Sequence, residues 1–492
     1  MSTAPRDPHR PVAHLRPPRN WINDPNGLVF HDGYYHVCYQ YNPYGATHAN
    51  LHWGHFRSPD LQTWEPLPIA LAPTRDGVDA DGCFSGNAVS DGDRLVAFYS
   101  AHREDRSFQH QPVTCAVSHD GGRSLRPRGE LLIPELPEGC AMYRDPYVWQ
   151  DGGGWRMLVG AALADGRAAA LLYDSPDLET WTYRGPFAAR RPESIGGTES
   201  LTGEGWECPQ YLPAADGRGA ALIVSTWTER TGPQSVAALI GEEHDGHFKA
   251  GPAVPLDHGP DYYAPALLRA PGNRWLLWGW SWEARDEAWA VADGWAGVLT
   301  LPREIHVDGD GTLRQQPATE LLALRGRHII HSAGETHGTQ PVDLGSVGHA
   351  FDLTARLEPT GDAGLRLLTT PDGSEYLDIR LDAGTGELVV DRTHASLDPR
   401  ARGGSYRMPC PADRPVDLRV VVDHSIAEIF LTTTGQVLTL RSYPTGQGPW
   451  RLQARTAAPG TRLGYAIDTW ELHPLVIKEP STGAAEPAPI SL

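Results

Sequence analysis

The sequence predicts an all-β protein: a five-bladed β-propeller followed by a C-terminal β-sandwich. Strand signals dominate the chain, a phrase recurs at a spacing near 60 residues, and the texture changes near residue 325. These three observations carry the expectation.

Short apolar or aromatic runs, such as 34–41, 95–99, 155–160 and 220–226, sit between turns rich in Gly, Asp and Pro. His31-Asp32-Gly33, Ser90-Asp91-Gly92, His119-Asp120-Gly121 and Gln150-Asp151-Gly152 are such turns. Helical periodicity is scarce. Its best candidate is the stretch 318–325, which begins just after Pro317.

The repeat is a Ser-x-Asp-(Leu/Gly) phrase at Ser58-Pro59-Asp60-Leu61, Ser118-His119-Asp120-Gly121 and Ser175-Pro176-Asp177-Leu178, with starts 60 and 57 residues apart. The first and last continue as Thr63-Trp64-Glu65 and Thr180-Trp181-Thr182. Each interval has room for four strands, the content of one propeller blade. A second series marches in step: Asp24, Phe84-Ser85, Asp145, Glu207 and Tyr263, separated by 60, 61, 62 and 56 residues. Five equivalent points on five innermost strands would bring distant polar groups to one mouth. Beyond about His331 the pattern becomes short alternating strands with turns every eight to twelve positions, which predicts the sandwich. The expected domains are 1–328 and 329–478, with a flexible tail over 479–492.

Composition narrows the function. Sixty-one acidic against 42 basic residues give a net charge of −19, which repels phosphate backbones, so nucleic acid is not an expected partner. No apolar run reaches the roughly eighteen residues a membrane span needs. Met1 to Pro18 holds three Arg and five Pro and no apolar core, so no secretory signal is legible and the expected location is the cytoplasm. The six cysteines show no zinc spacing and are too sparse for a disulfide scaffold; buried free thiols fit them. His48, His52 and His55 do not converge on a strand as they would on a helix, so neither metal nor other cofactor is expected.

Three carboxylates remain, each just ahead of a proline: Asp24 in Asn23-Asp24-Pro25-Asn26-Gly27, Asp145 in Tyr143-Arg144-Asp145-Pro146-Tyr147, and Glu207 in Trp206-Glu207-Cys208-Pro209. Each alone is a turn signal. Three in phase with a five-fold repeat point to acid chemistry. A packed thiol is the expectation for Cys208, because a carboxylate mechanism needs none.

In order and spacing these segments resemble glycoside hydrolase family 32, the invertases, fructan hydrolases and sucrose-6-phosphate hydrolases. The resemblance extends through Tyr39-Gln40-Tyr41-Asn42-Pro43, Phe84-Ser85-Gly86, Tyr262-Tyr263-Ala264-Pro265, Gly294-Trp295-Ala296-Gly297 and Leu301-Pro302-Arg303-Glu304. It reaches Val422-Asp423-His424-Ser425 and Glu428-Ile429-Phe430 in the second domain. It implies Asp24 as nucleophile, Glu207 as general acid/base and Asp145 as transition-state stabiliser; the Arg144 charge beside Asp145 is expected to keep that acid ionised. It also implies Asn23, Gln40, Trp53, Phe84, Ser85, Arg144 and Trp280 around the sugar. This chain departs from the common pattern at His48, Asn87 and Tyr147, which would lie on the leaving-group side.

The implied activity is retaining hydrolysis of terminal β-D-fructofuranosides, foremost sucrose or short fructo-oligosaccharides. An exo-acting levan or inulin hydrolase, a sucrose-6-phosphate hydrolase and a fructosyltransferase fit the same motifs. From another class, a catalytically silent sugar-binding propeller would lack one of the three carboxylates, and all are present. A pentosidase shares the acids but not the Asn-Asp-Pro-Asn-Gly and Glu-Cys-Pro phrases. The expected partner is a small sugar, and the sequence does not choose between monomer and homodimer.

Overall fold

The computed structural model describes residues 7–192, 201–215, 217, 219–411 and 414–479. All but the first residue of the tail expected at 479–492 therefore lies outside the described residues. Strands dominate, and among the described residues the α-helix is the seven-residue Glu287–Asp293. Sequence reading missed it, although its signals are present: Asp286 caps the Trp289 N–H, and Gly294 closes the end at φ +74°. The stretch expected as helical over 318–325 is a 3₁₀-helix, Thr319–Leu324. Among the described residues no helix is long and apolar enough to cross a membrane.

The first part of the chain forms five mainly antiparallel sheets, the first of which also takes in Val476–Ile477 in parallel beside Thr63 and Trp64. Their innermost strands are β1 (Asn20–His31), β2 (Gly82–Asp91), β3 (Cys140–Asp151), β4 (Gly205–Pro213) and β5 (Tyr263–Ala270). Each innermost strand packs against the next, and β5 packs back on β1, so the sheets surround a common axis as in a propeller. The circle is latched by a late segment: Trp295 and Ala296 pair in parallel with Asn20 and Trp21. The core lies between sheets, with Trp64, Trp206 and Trp278 wholly buried there.

The repeated Ser-x-Asp phrase has a simple cause. In the first three sheets it forms the turn between the third and fourth strands. The Ser58 hydroxyl accepts the Leu61 N–H (2.8 Å) and Asp60 accepts the Thr63 N–H (2.7 Å); Ser175 and Asp177 do the same for Leu178 and Thr180 (2.9 and 2.8 Å). Such side-chain caps fix a turn without help from tertiary structure.

The second part is two six-stranded antiparallel sheets packed face to face. Phe351, Leu353, Leu365, Ile379, Val420, Ile429 and Trp450 fill the space between them. One sheet carries β6 (Val416–Asp423), β7 (Ile426–Leu431) and β8 (Gln436–Arg441), which face the propeller.

The seam there is a buried ionic network. Asp423 accepts the backbone N–H groups of Val12, Ala13 and His14 and lies 2.8 Å from His14 Nδ1; His14 Nε2 lies 3.0 Å from Glu428. Glu428 also accepts from Leu301 N (2.7 Å) and from two nitrogens of Arg303 (2.8 and 2.6 Å). Arg303 continues to Asp257 (2.8 Å), which Thr439 also reaches. Burial alone would strip His14 of its proton, but hydrogen bonds to the two carboxylates raise its pKa above the ordinary histidine value. Burial likewise opposes the charges on Asp423 and Glu428, yet their partners lower both below the usual range.

Candidate active site

Every innermost strand carries the same defect. In each sheet two consecutive residues of the inner strand oppose one residue of its neighbour: Asn23-Asp24, Phe84-Ser85, Asp145-Pro146, Cys208-Pro209 and Ala264-Pro265. A bulge of this kind re-aims side chains and tolerates proline, because its extra residue donates nothing to the ladder. In the Asp145 and Glu207 segments the proline sits inside the bulge, whereas Pro25 follows its bulge and pairs with Tyr39. Asp145, Cys208 and Ala264 occupy the left-handed region at φ +63°, +47° and +46°, a strained conformation for residues with a Cβ.

The bulges also correct the phase of the repeat. Cys208, not Glu207, is equivalent to Asp145, and Glu207 is equivalent to Arg144 and Tyr263. Those three are joined across adjacent strands. Arg144 Nη1 lies 3.3 Å from Glu207 Oε1, and the Tyr263 hydroxyl donates to Glu207 Oε2 (2.8 Å). One position along, the Cys208 N–H donates to Asp145 Oδ2 (3.0 Å), and its thiol sits 3.6 Å from Asp145 and 3.8 Å from Asp24. The three carboxylates thus converge around one backbone corner.

A hydrogen-bonded chain orients Asp24 from the other side. The Trp21 indole donates to Asn23 Oδ1 (2.7 Å), and Asn23 Nδ2 donates to Asp24 (3.0 Å) and Gln40 (2.7 Å). Gln40 donates to Ser85 Oγ (2.6 Å), whose hydroxyl donates to Asp24 Oδ2 (2.5 Å).

Burial pushes the Asp24 carboxyl up to about 6; the Ser85 and Asn23 hydrogen bonds work against this and the Glu207 charge adds to it. Asp145 is also raised, by burial first and by Glu207 second, against a smaller pull from Arg144. The expectation that Arg144 holds Asp145 ionised is therefore corrected. Its guanidinium is spent on Glu207, the Phe108 carbonyl (3.0 Å) and Gln109 (2.6 Å). Burial and the neighbouring acids raise the Cys208 thiol far above its ordinary value, so it stays protonated and packed.

Aromatic side chains rim the mouth. Trp280 meets Trp21 edge-on at 5.6 Å, Trp282 stacks on Tyr263 at 5.3 Å, and His48 lies between Trp21 and Phe84 at 5.8 and 6.3 Å. Phe108, which sequence reading missed, stands exposed beside Phe84 at 5.8 Å with Arg144 over its ring at 5.0 Å. Its loop carries no motif; only its contact with Arg144 reveals it.

Three expected site residues do not face the mouth. Trp53 is wholly buried, its indole donating to the Phe84 carbonyl (3.0 Å). A side chain with no exposed surface touches no substrate; Trp53 holds β2 from behind. Gly27 must be glycine above it, since φ is +55° and a Cβ would lie 2.8 Å from the indole. Asn87 is consumed by backbone, donating to the Val148 carbonyl (2.7 Å) and accepting its N–H (2.8 Å). It clamps β2 to β3, as Gln210 clamps β4 to β5 by accepting the Leu267 N–H (2.9 Å). Tyr147 is buried, its hydroxyl donating to the Tyr211 carbonyl (3.3 Å). A cavity of about 520 Å³ lies beyond these clamps, lined by Phe30, Trp149, Tyr211 and Trp275 and by none of the three carboxylates.

Of the three early histidines, His48 lies at the rim, His52 binds the Asn50 carbonyl (2.6 Å), and His55 is buried against His36 at 3.1 Å.

Residues 14–317 match the glycosyl hydrolases family 32 N-terminal domain, and residues 320–461 match the C-terminal domain of the same family. A raffinose invertase of Escherichia coli is 33% identical over 454 residues, which cover 88% of this chain and 89% of the relative. A sucrose-6-phosphate hydrolase of Bacillus subtilis is 30% identical over 451 residues, covering 89% and 90%. Among solved structures, a fructan 1-exohydrolase of Cichorium intybus superposes with a TM-score of 0.82 at 23% identity, covering 96% of this chain and 98% of that one. A family 32 β-fructofuranosidase of Bombyx mori superposes at 0.77 with 25% identity, covering 96% and 95%.

Proposed function

The chain belongs to glycosyl hydrolase family 32 and is a glycoside hydrolase, and from that premise we propose that it cleaves unphosphorylated β-D-fructofuranosides, foremost sucrose or short fructo-oligosaccharides, by double displacement. The observation that carries this reading is the convergence of Asp24, Asp145 and Glu207 around the Cys208 corner, Asp24 and Asp145 from within bulges and Glu207 from just ahead of one, on three different inner strands.

In this reading Asp24 attacks the anomeric carbon and forms the fructosyl-enzyme ester. The Ser85 and Asn23 donors hold one face of its carboxylate and leave the rest for attack. Glu207, steadied by Tyr263 and Arg144, protonates the leaving oxygen and then takes a proton from the incoming water. Asp145, fixed by the Cys208 N–H, binds fructosyl hydroxyls as positive charge builds on the ring. With Asp24 and Asp145 both pushed up by burial and by the neighbouring acid, their protonation is linked, so the apparent pKa values belong to the group. Asn23, Gln40 and Ser85 both orient Asp24 and offer polar groups to the sugar, and Phe84 and Trp280 wall it.

We read the five sheets as five blades, with the propeller over 1–328 and the sandwich over 329–478. Preference for an unphosphorylated leaving group rests on the cations. A phosphate wants clustered Arg or Lys. Among the described residues the guanidinium that reaches the carboxylates is Arg144, already committed to three partners.

The test is a panel comparing kcat/KM on sucrose, sucrose 6-phosphate, 1-kestose, inulin and levan, run with Asp24→Asn and Glu207→Gln. Sucrose or 1-kestose is expected to lead, and each variant to lose about a hundredfold or more in turnover while keeping its fold. Leadership by sucrose 6-phosphate would overturn the substrate reading. A variant within about tenfold of the parent would overturn the roles.

A further inference from the structure

We propose that His328, His331 and Asp468 form a binding site for a divalent transition-metal ion, of which zinc is the type, on the exposed face of the sandwich.

His328 and His331 lie three apart on the strand Arg325–His337, an edge strand whose neighbour is Arg462–Leu472. On a regular strand, residues three apart point to opposite faces. The register slips here: His328 opposes Trp470 and Ile330 opposes Thr469, so Ile329 is an extra residue. The bulge turns His328 onto the face of His331, and Asp468 lies directly across from His331.

One nitrogen of each ring and one carboxylate oxygen lie within 4.8 Å of one another. His331 Nδ1 and His328 Nε2 lie 2.7 and 2.9 Å from the same oxygen, Asp468 Oδ1. A tetrahedral zinc ion with bonds of about 2.0–2.2 Å needs its ligand atoms ~3.3 Å apart, so modest rotamer changes open the site. All three groups are types that zinc takes, two imidazoles and a carboxylate. The His328 ring is held in plane by stacking on Trp470 (4.9 Å, 14°). The Arg325 guanidinium lies on that indole (3.9 Å) and is paired with buried Asp352, and Arg327 is paired with Glu471. The nearby cations are thus already balanced. Water would complete the coordination, as befits an exposed and exchangeable site.

The ion would take no part in glycoside cleavage. It would pin the edge strand to its neighbour across the face of the sheet.

The experiment titrates chelator-stripped full-length protein with zinc chloride in a calorimeter and follows thermal unfolding at each concentration. One equivalent is expected to bind in the micromolar range and to raise Tm as zinc rises. His328→Ala and His331→Ala should each weaken binding by roughly tenfold or more and leave kcat/KM on the fructoside unchanged. Failure of the parent to take up one equivalent would overturn the site. Equal uptake by the double variant would overturn it too, leaving both imidazoles as plain hydrogen-bond partners of Asp468.

Discussion

At the propeller mouth Asp24, Asp145 and Glu207 share one nearby guanidinium, Arg144, whereas at the seam Asp423, Glu428 and Asp257 share His14, Arg303 and a set of backbone N–H groups. Burial is comparable in the two places and the outcome is opposite. Asp24 and Asp145 hold their protons more tightly than free carboxyls, while Asp423 and Glu428 hold theirs less tightly. The difference lies in the partners. Several donors and a nearby cation on each buried carboxylate favour its charged form, whereas one guanidinium among three clustered acids leaves burial and mutual repulsion to favour the proton. The seam spends its charges on joining domains. The mouth keeps acids in a costly state that a reaction can use.

The two regions also respond oppositely to acid. Raised acids bind more protons in the folded state, so Asp24 weakens the fold as pH climbs from the unfolded value toward about 6, and the penalty persists above. Lowered acids stabilise above their unfolded pKa, and that contribution is lost as pH falls through their folded pKa. His14, raised, supports the seam below its unfolded pKa and gives that support up as pH rises through the folded value.

The comparison breaks most visibly at Arg303. Arg303→Met leaves Glu428 and Asp257 buried without their cation and should cost about 3–5 kcal/mol, read as a large drop in Tm. Next comes the neutral clamp. Asn87→Ala orphans the Val148 N–H and carbonyl and should cost about 2 kcal/mol, with no dependence on pH between the two clusters' titrations. Tyr263→Phe removes a donor from Glu207 and should lower kcat/KM about tenfold with Tm little changed. Asp24→Asn, inactive, should be more stable than the parent on the order of 1 kcal/mol above about pH 6, the gain fading in acid; thermal unfolding across pH reads it. Smallest is His48→Ala at the rim, expected to raise KM for sucrose modestly and leave kcat unchanged.

The all-β fold and the meeting of the three carboxylates were legible because local physics writes them. The Ser-x-Asp turns are self-capping, and the acid-proline phrases mark bulges that side-chain spacing alone exposes. Facing was not legible. Strand alternation is the only guide a sequence offers to which way a side chain points, and each inner strand breaks it at the site. Hence Asn87 and Tyr147 sit in recognisable segments yet serve clamping and packing, and Trp53, two strands out from the axis, packs behind β2. Arg144 was placed beside the right residues but given the wrong partner, since its reach to Glu207 crosses strands 63 residues apart in sequence. Phe108 had no signal, its role being set by the guanidinium beneath it.

The bulge has a consequence for how such a molecule can change. It belongs to the backbone and recurs on every inner strand, including β2 and β5, which present Phe84-Ser85 and Ala264-Pro265 where β1 and β3 present acids. Frame and cargo are therefore separable. Each inner strand is a socket, and what is plugged in can be exchanged without redrawing the sheets around it. A line of descent could revise the chemistry of the mouth one socket at a time while the architecture stands still.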